Sequence, residues 1–348
     1  MNKQFSLYLD LLRAIAAFTV VLHHLRWYEY SGGYLSWFQY GNEAVIVFFV
    51  LSGFVIGFVS ESKEGGLKVF LLKRVSRIWS VLIPALVLSI FVEFLIFTDF
   101  SPREIAHKFY IVKDTLLFLN ENWTNKEGLN SNYVFWSLAF EFWYYIFFAA
   151  LFIIRGKAGW ALFILTIIFT GYKIILLFPI WLLGYIIFKS QNKKLQTTKK
   201  QSFYGYFLSL ILFLLIIIFC QDLKNEFSIN YLPLGDARIF LYQYIIGLAF
   251  GVHLFFANHF FNRIEYSCLE LIMKPIRFFS SISFAVYCFH TPIIYIVKFV
   301  WNYNQASIMQ IIAALFLNFI IIIWVSSFVE RYKKFWLSKE KLFRFFYF

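Results

Sequence analysis

The sequence predicts an all-α fold, a polytopic transmembrane helical bundle of about ten spans with the N-terminus and the C-terminus in the cytoplasm. Hydrophobic residues make up 61% of the 348 positions and charged residues only 15%, whereas about a quarter of a soluble domain is charged. The mean hydropathy is +0.70. Several apolar runs reach the length of about 20 residues that a helix needs to cross a bilayer. Lipid is therefore the expected solvent of this chain.

The apolar runs divide the chain into ten predicted spans. Their bounds are 6–25, 43–60, 78–98, 133–154, 160–177, 178–188, 202–220, 238–256, 278–300 and 307–329. The fifth and sixth share one apolar run that contains Pro179 and Gly184, so a broken or re-entrant pair is the alternative there. The first span is expected to be a retained helix, because Asp10 and Arg13 interrupt it and no small-residue cleavage site follows.

The basic residues between the spans predict the orientation of the bundle. Loops assigned to the cytoplasm, such as 63–77 and 189–200, are rich in Lys and Arg, and the loops between them on the opposite side are poor. This alternation follows the positive-inside rule for an even number of spans. Residues 1–330 are interpreted as one membrane-embedded domain, and 331–348 as a basic, aromatic cytoplasmic tail.

Net charge and cysteine usage exclude other classes of partner and cofactor. The charge of +13 is interpreted as attraction to anionic membrane lipids, and no nucleic acid is expected as a partner. The three cysteines have neither a disulfide framework nor metal-ligand spacing, so no metal is expected. They are Cys220, Cys268 and Cys288.

Ionisable residues inside the first predicted span point to a functional site, because each costs about 2.5–3.5 kcal/mol on insertion scales. Arg13 and His24 are eleven residues apart. That interval places them within about 20° of one helix face and about 16 Å apart along the axis. The strip would hold a cation towards the cytoplasm and an imidazole towards the outside. The alternative is that Arg13 pairs with Asp10 while His23 and His24 lie in interfacial water.

Later spans carry polar residues that could complete a cavity in the bundle. Glu141 lies in the fourth span, and Ser137 is one turn earlier on the same face. His290 lies in the ninth span and is followed closely by Pro292, which frees a backbone carbonyl. Together with the first helix, these residues predict a polar cavity in the membrane.

Two arginines precede the third span at a close interval. Arg74 and Arg77 are three residues apart at a predicted helix start, an arrangement that suits an anionic phosphate group. Anchoring of the helix by charges that reach the membrane surface is the alternative. Ser52 forms a small step in the apolar second span, which by itself indicates close helix packing.

Five segments together resemble acyltransferase family 3, the bacterial membrane O-acyltransferases. They are 9–17 followed by His24, 48–54, 74–77, 136–141 and 283–292. The first resembles the family's first helix, in which ten residues separate an arginine from a histidine. Two positions depart from the family pattern: Leu11 stands where a glycine is usual, and Ile46 where an acidic residue often precedes the paired phenylalanines.

The resemblance implies an enzyme that uses acyl-CoA as the donor, most often acetyl-CoA, and a hydroxyl of a surface glycan as the acceptor. O-antigen, capsule and exopolysaccharide are such glycans, and the cell (inner) membrane is the implied location. Residues 1–330 would then be the acyltransferase domain. His24 would act as a general base, or alternatively form an acyl-histidine intermediate.

The resemblance also assigns roles to particular residues. The expected catalytic residues are His24, Glu141 and Arg13. The expected donor-binding residues are Arg74, Arg77 and Ser52. The residues expected to bind the acceptor or the oxyanion are His290 and Ser137.

Two other functions are compatible with polar residues inside a membrane bundle. A transporter or flippase for a glycan or a lipid-linked precursor is the main alternative. No inverted repeat or matched pair of interrupted helices favours it. A non-catalytic member of a glycan-synthesis complex is the third possibility, and it leaves the Arg13–His24 strip without a purpose.

Overall fold

The computed structural model describes residues 2–62, 66–191, 198–263 and 270–338. Every regular element in these ranges is helical, which confirms the predicted all-α class. The α-helices of these ranges, α1 to α13, are Lys3–Leu25, Tyr28–Ser31, Gly41–Ser62, Leu67–Val92, Pro102–Leu116, Trp136–Phe148, Gly156–Thr170, Tyr172–Gln191, Lys199–Phe219, Leu223–Glu226, Phe240–Phe261, Glu270–Val300 and Ile308–Ser338. Short 3-10 helices, Tyr133–Phe135 and Gly235–Ile239, precede α6 and α11.

Nine helical segments in the described ranges are long and apolar enough to cross a membrane. Two of them are extended by π-helical turns, Glu93–Phe97 after α4 and Ala149–Ile154 after α6. A tenth apolar helix, α7, is shorter. The chain is therefore a multi-pass membrane protein. The last helix, α13, runs through residue 330 to Ser338, and the rest of the predicted tail, 339–348, lies outside the described residues.

The boundary between the fifth and sixth predicted spans is at Gly171 and not after residue 177. Gly171 has a φ of 83°, and a Cβ there would lie 2.8 Å from the Cα of Trp123. The backbone N–H of Trp123 donates to the carbonyl of Thr170 at 2.8 Å, so the loop that contains Trp123 closes the end of α7. Pro179 lies inside α8 without ending it. Hydropathy alone could not show this break, since the apolar run is continuous on both sides of it.

Helix α1 lies at the centre of the packing that forms the site. It packs against α3 on one side and α12 on the other, while α3 also packs along α8. Helix α12 contacts α4 and α13, and α11 contacts α9, α8 and α3. Side chains of α1, α3, α4, α6 and α12 therefore face one another inside the bundle.

A buried carboxylate fixes the loop before α6 to the end of α4. Glu93 is fully buried and accepts from Lys108 Nζ at 2.7 Å and from the backbone N–H of Ser131 at 2.8 Å. Asn130 Nδ2 adds a third bond at 3.1 Å. A buried charge is stable only when it is paired and hydrogen-bonded in this way. The network holds residues 130–132 against the helices that carry the site.

Candidate active site

Two histidines from opposite ends of the sequence are in direct contact inside the bundle. His24 lies near the C-terminal end of α1 and His290 lies in α12, and the packing of these two helices brings them together. His24 Nδ1 is 2.9 Å from His290 Nε2. His290 is 0% exposed and His24 is 9% exposed. The pair therefore lies at the protein interior, where few polar groups compete for its hydrogen bonds.

The acceptors around the pair determine where the hydrogens of the neutral rings lie. His290 Nδ1 is 2.8 Å from the carbonyl oxygen of Tyr287 and 3.2 Å from that of Val286. Carbonyl oxygens only accept, so His290 carries its hydrogen on Nδ1 and its Nε2 accepts. His24 Nδ1 must then donate, and the carbonyl of Val20, 2.9 Å away, is a second acceptor for it.

This assignment leaves a lone pair on Nε2 of His24. A neutral imidazole has one donor and one acceptor nitrogen, and Nδ1 is the donor here. Nε2 has no hydrogen-bond partner among the described residues. The half-exposed ring of Tyr133 lies beside the imidazole, with ring centroids 5.5 Å apart. The arrangement can therefore accept a proton at Nε2 while Nδ1 stays bound to His290.

The neighbouring histidine faces a different element. A Cβ on Gly41, at the start of α3, would come within 2.6 Å of the His23 ring. His23 thus packs on α3, whereas His24 contacts α12. Adjacent side chains of a helix point about 100° apart, so the two imidazoles contact different helices.

Asn132 supports the helix turn that carries His290. Pro292 has no N–H, so the carbonyl of Cys288, four residues earlier, loses its partner in α12. Asn132 Nδ2 donates to that carbonyl at 2.9 Å, and Asn132 Oδ1 accepts from Thr291 Oγ1 at 2.7 Å. Asn132 is fully buried. The carbonyl that Pro292 leaves without a donor is thereby hydrogen-bonded by a side chain from the loop before α6.

A cavity lies next to the histidine pair, on the side towards the N-terminus of α1. Its walls include Arg13 from α1, Arg77 from α4, Glu141 from α6 and Tyr287 from α12. Tyr287 is one helical turn before His290. The empty space is about 730 Å³ including its open mouth. We refer to it as the inner cavity.

The inner cavity contains two guanidinium groups, those of Arg13 and Arg77. Neither makes a side-chain hydrogen bond or a salt bridge within the described part of the chain. With Glu141 as the one carboxylate in the lining, the cavity has an excess of positive charge, which favours an anionic ligand. The alternative expectation, an ion pair between Arg13 and Asp10, is not formed in the described part of the chain, where the Asp10 carboxylate accepts from Ser280 Oγ at 2.8 Å.

Glu141 makes its hydrogen bonds inside this cavity and not to an imidazole. Its carboxylate accepts from Ser52 Oγ at 3.0 Å and from the hydroxyl of Tyr145. Ser52 Oγ in turn accepts from Trp181 Nε1 at 3.1 Å. The small residue predicted to allow close helix packing therefore also orients a carboxylate.

Ser137 lies at the end of the inner cavity nearest the histidines. Its Oγ is 2.7 Å from the hydroxyl of Tyr287, which donates to the carbonyl of Val134 at 2.9 Å. These bonds connect the start of α6 to the turn of α12 that precedes His290.

Comparison with known proteins agrees with this architecture. The family model described as "Acyltransferase domain" matches residues 6–327, which is nearly the whole chain. The chain belongs to acyltransferase family 3. All the side chains described above lie within the matched range.

Two relatives of this family member carry names that describe acetyl transfer. The "O-acetyl transferase" of Shigella phage Sf6 is 30% identical over 48% of this chain and 51% of its own length. The "Peptidoglycan O-acetyltransferase OatA" of Listeria monocytogenes serovar 1/2a is 24% identical over 92% of this chain and 54% of its own length. The chain thus spans about half the length of these curated relatives. No solved structure matches it significantly.

The structure divides the residues expected from the family pattern into three places. His24 and His290 contact each other. One set shares the inner cavity: Arg13, Ser52, Arg77, Ser137 and Glu141. Arg74 lies in a neighbouring cavity at the protein surface. Among the described residues, no group of three His, Cys, Asp or Glu side chains is placed to hold a metal ion.

Three residues that hydrogen-bond the site together received no role from the sequence. Tyr145 bonds to Glu141, Tyr287 bonds to Ser137, and Asn132 bonds to the Cys288 carbonyl of α12. Pro292 has no N–H, so it indicates that another donor must bond to the Cys288 carbonyl. Nothing in the spacing of Asn132 identified it as that donor, because 156 positions separate the two residues.

Proposed function

We propose that this chain is a membrane O-acyltransferase that transfers an acetyl group from acetyl-CoA to a hydroxyl of a surface glycan. O-antigen, capsule, exopolysaccharide and peptidoglycan are the candidate acceptors, and the cell (inner) membrane is the proposed location. One observation carries the proposal: His24 keeps a lone pair on Nε2 because His290 and Val20 accept at its Nδ1. A hydroxyl nucleophile needs such a base.

The proposed reaction is a general-base transfer. His24 Nε2 takes the proton of the acceptor hydroxyl while the oxygen attacks the carbonyl carbon of the thioester. The tetrahedral intermediate then breaks its carbon–sulfur bond, and His24 returns the proton to the sulfur, so that CoA leaves as the free thiol and His24 is neutral again. The products are an acetyl ester and free CoA. Neither oxidation nor reduction takes place.

His290 has a supporting part in this reaction. When His24 becomes an imidazolium, its Nδ1–H is a stronger donor, and the neutral Nε2 of His290 accepts it at 2.9 Å. The hydrogen on His290 Nδ1 stays on the carbonyls of Tyr287 and Val286. His290 thus orients His24 as the aspartate orients the histidine in a Ser–His–Asp triad.

The inner cavity suits the donor. Arg13 and Arg77 provide positive charge for an anionic ligand. Neither guanidinium is paired with a side chain of the described residues. Ser52 and Tyr145 hold the Glu141 carboxylate in the wall, where it can order polar groups of the donor arm. The thioester would approach His24 past Tyr287 and Ser137, at the end of the cavity nearest the histidines.

The test is acetyl transfer by the purified full-length chain in lipid nanodiscs. Acetyl-CoA with a labelled acetyl group is supplied together with surface polysaccharide extracted from cells that lack the protein. We expect free CoA and labelled polysaccharide in equal amounts. His24→Ala should lower the rate by at least about 100-fold, the lower range for a general base.

His23→Ala is the matched control, because His23 is adjacent in sequence but packs on α3. It should retain most of the activity. A transporter would release no CoA with either variant. An active His24→Ala beside an inactive His23→Ala would contradict the assignment of the base.

A further inference from the structure

Arg26 lies directly after α1, two residues beyond His24. It caps the C-terminal end of the helix, and the fully buried Ser31 donates through Oγ to its backbone carbonyl at 3.1 Å. The basic loops predict that this end of the bundle faces the outside, from which the acceptor is expected. The proposed transfer step does not use this side chain.

The guanidinium of Arg26 has no partner of opposite charge within the described ranges. It makes no side-chain hydrogen bond or salt bridge there, and its Nε is buried without a hydrogen-bond partner. Glu29, three residues later, is exposed and forms no salt bridge with it. Because a buried donor is stable only when it is hydrogen-bonded, this guanidinium has capacity for an anionic ligand.

Other cations at the same end of the bundle differ from Arg26 in this respect. Each of those that are mostly buried forms a salt bridge to a carboxylate of the protein. The pairs are Lys108 with Glu93, Lys173 with Glu121 and Lys224 with Glu43. The contrast indicates that the anion for Arg26 comes from a ligand.

An aromatic ring holds the guanidinium at the protein surface. The Cζ of Arg26 lies 4.3 Å from the centre of the Trp27 ring, and Trp27 is half-exposed. A cation over an aromatic face is attracted by the ring and can still donate its N–H groups to a ligand. The contact therefore orients Arg26 without satisfying its hydrogen bonds.

The free nitrogen of the base lies near this guanidinium. His24 Nε2 has no hydrogen-bond partner among the described residues and stays accessible to solvent, beside the half-exposed ring of Tyr133. Two helix positions separate His24 and Arg26 by about 200° in direction. Arg26 lies past the last helical residue, however, and its charge is within electrostatic range of both His24 and Tyr133. An acceptor hydroxyl on Nε2 would therefore have Arg26 close by.

We propose that Arg26 binds an oxyanion that the acceptor carries next to the hydroxyl that is acylated. The carboxylate of an acidic sugar and a phosphate of the glycan both match the fork of a guanidinium. The inference rests on the proposed function for the acceptor being a glycan, and it adds that this glycan is anionic. A neutral glycan offers the same hydroxyls but leaves Arg26 unpaired, so Arg26 determines specificity.

The experiment measures binding of surface polysaccharide, extracted from cells that lack the protein, to the full chain in phosphatidylcholine nanodiscs without any acyl donor. We expect saturable binding that Arg26→Gln weakens about tenfold or more, the loss typical of one hydrogen bond to a charged group. Arg26→Lys keeps the charge without the fork and should recover part of the affinity, which a folding defect at this position would not allow. Absence of saturable binding to the unmodified chain would overturn the inference.

Chemical treatment of the polysaccharide identifies the anion. Carbodiimide activation followed by borohydride reduction converts carboxyl groups into neutral alcohols, and cold hydrofluoric acid removes phosphate esters. We expect one of the two treatments to weaken binding to the unmodified chain about tenfold and to remove its advantage over Arg26→Gln. Loss after reduction identifies an acidic sugar, and loss after hydrofluoric acid identifies a phosphate. Equal binding of the treated and untreated polysaccharide would contradict an anionic acceptor.

Arg103→Gln is the matched control. Arg103 is exposed in the first turn of α5, so the change removes the same charge from the same end of the bundle. Binding by this variant should equal that of the unmodified chain. Equal affinities for the Arg26→Gln and Arg103→Gln variants would overturn the inference.

Two further outcomes separate the site from the activity and from a lipid. Binding that depends on Arg26, without acetyl transfer when acetyl-CoA is added, would refute the proposed function and leave the site in place. Acetyl transfer with a KM for the polysaccharide that Arg26→Gln does not change would refute the site alone. If phosphatidylglycerol in the nanodisc abolishes the effect of Arg26→Gln, the arginine binds lipid headgroups and the inference fails.

Discussion

His24 and His290 form the contact on which the proposed chemistry depends. Each ring is oriented by backbone carbonyls of its own helix, Val20 for His24 and Tyr287 for His290. The orientation therefore comes from α1 and α12 themselves and needs no carboxylate. What His290 adds is an acceptor that remains available when His24 gains a proton.

Replacing His290 should slow the chemical step more than it affects donor binding. His290→Leu removes the acceptor from the Nδ1–H of His24, and we expect kcat to fall about ten- to hundredfold, the range for one buried hydrogen bond to a charged group. The KM for acetyl-CoA should change little. His290→Gln should retain more activity than His290→Leu, since an amide oxygen can also accept. Equal losses of kcat in both variants would indicate a packing role.

The sequence could predict part of this arrangement. The interval between Arg13 and His24 predicts that His24 and His23 face different neighbours, because helix geometry alone fixes their directions. It could not show that His290 contacts His24, since that contact requires α1 to pack on α12. It also places Arg13 on the strip, but the hydrogen bond from Ser52 to Glu141 could not be predicted because it requires α3 to lie beside α6.

Helix α12 contains the clearest case of an element completed by a distant side chain. Pro292 breaks the ladder, and Asn132 supplies the missing donor to Cys288. Asn132 also donates to Ser89 Oγ at 2.9 Å, so the same side chain connects α12 to α4. A proline in a membrane helix is tolerated where neighbours satisfy the freed carbonyl.

Asn132→Ala should destabilise the folded protein by about 1–3 kcal/mol, the cost of an unsatisfied buried acceptor. In a Pro292→Ala background the new N–H can bind the Cys288 carbonyl, so the same substitution should cost less. Unfolding of the four proteins in detergent gives the coupling energy of this double-mutant cycle. Strict additivity would mean that the Asn132 bond to Cys288 carries no stability.

The break between α7 and α8 depends on a glycine whose backbone and surroundings both exclude a side chain. Gly171→Ala adds a Cβ 2.8 Å from Trp123 at a φ of 83°. We expect destabilisation above about 1–2 kcal/mol, the usual penalty for left-handed backbone alone. The measurement is thermal unfolding in detergent.

Two other glycines separate backbone strain from contact. Gly156 has a φ of 59° with nothing within 4 Å of an added Cβ, so Gly156→Ala should cost the backbone penalty only. Gly66 has neither feature, and Gly66→Ala should be close to neutral. A Gly171→Ala protein as stable as the Gly66→Ala protein would contradict the close approach of Trp123.

Across the whole molecule, the two ends of the site face opposite ends of the bundle. Arg74 and the cavity that it lines lie at the end of the bundle where α4 begins, and His24 lies near the other end of α1. The positive loops predict that the first end is cytoplasmic. Donor and acceptor would then reach the site from different sides of the membrane.

The sidedness of transfer tests this arrangement most directly. Inverted inner-membrane vesicles expose the cytoplasmic face, and right-side-out vesicles expose the opposite face. Labelled acetyl-CoA, which does not cross the bilayer, is added outside each. The account predicts transfer by inverted vesicles only, with the labelled glycan inside and free CoA outside. Transfer by right-side-out vesicles only, or label on glycan added outside the inverted vesicles, would contradict it.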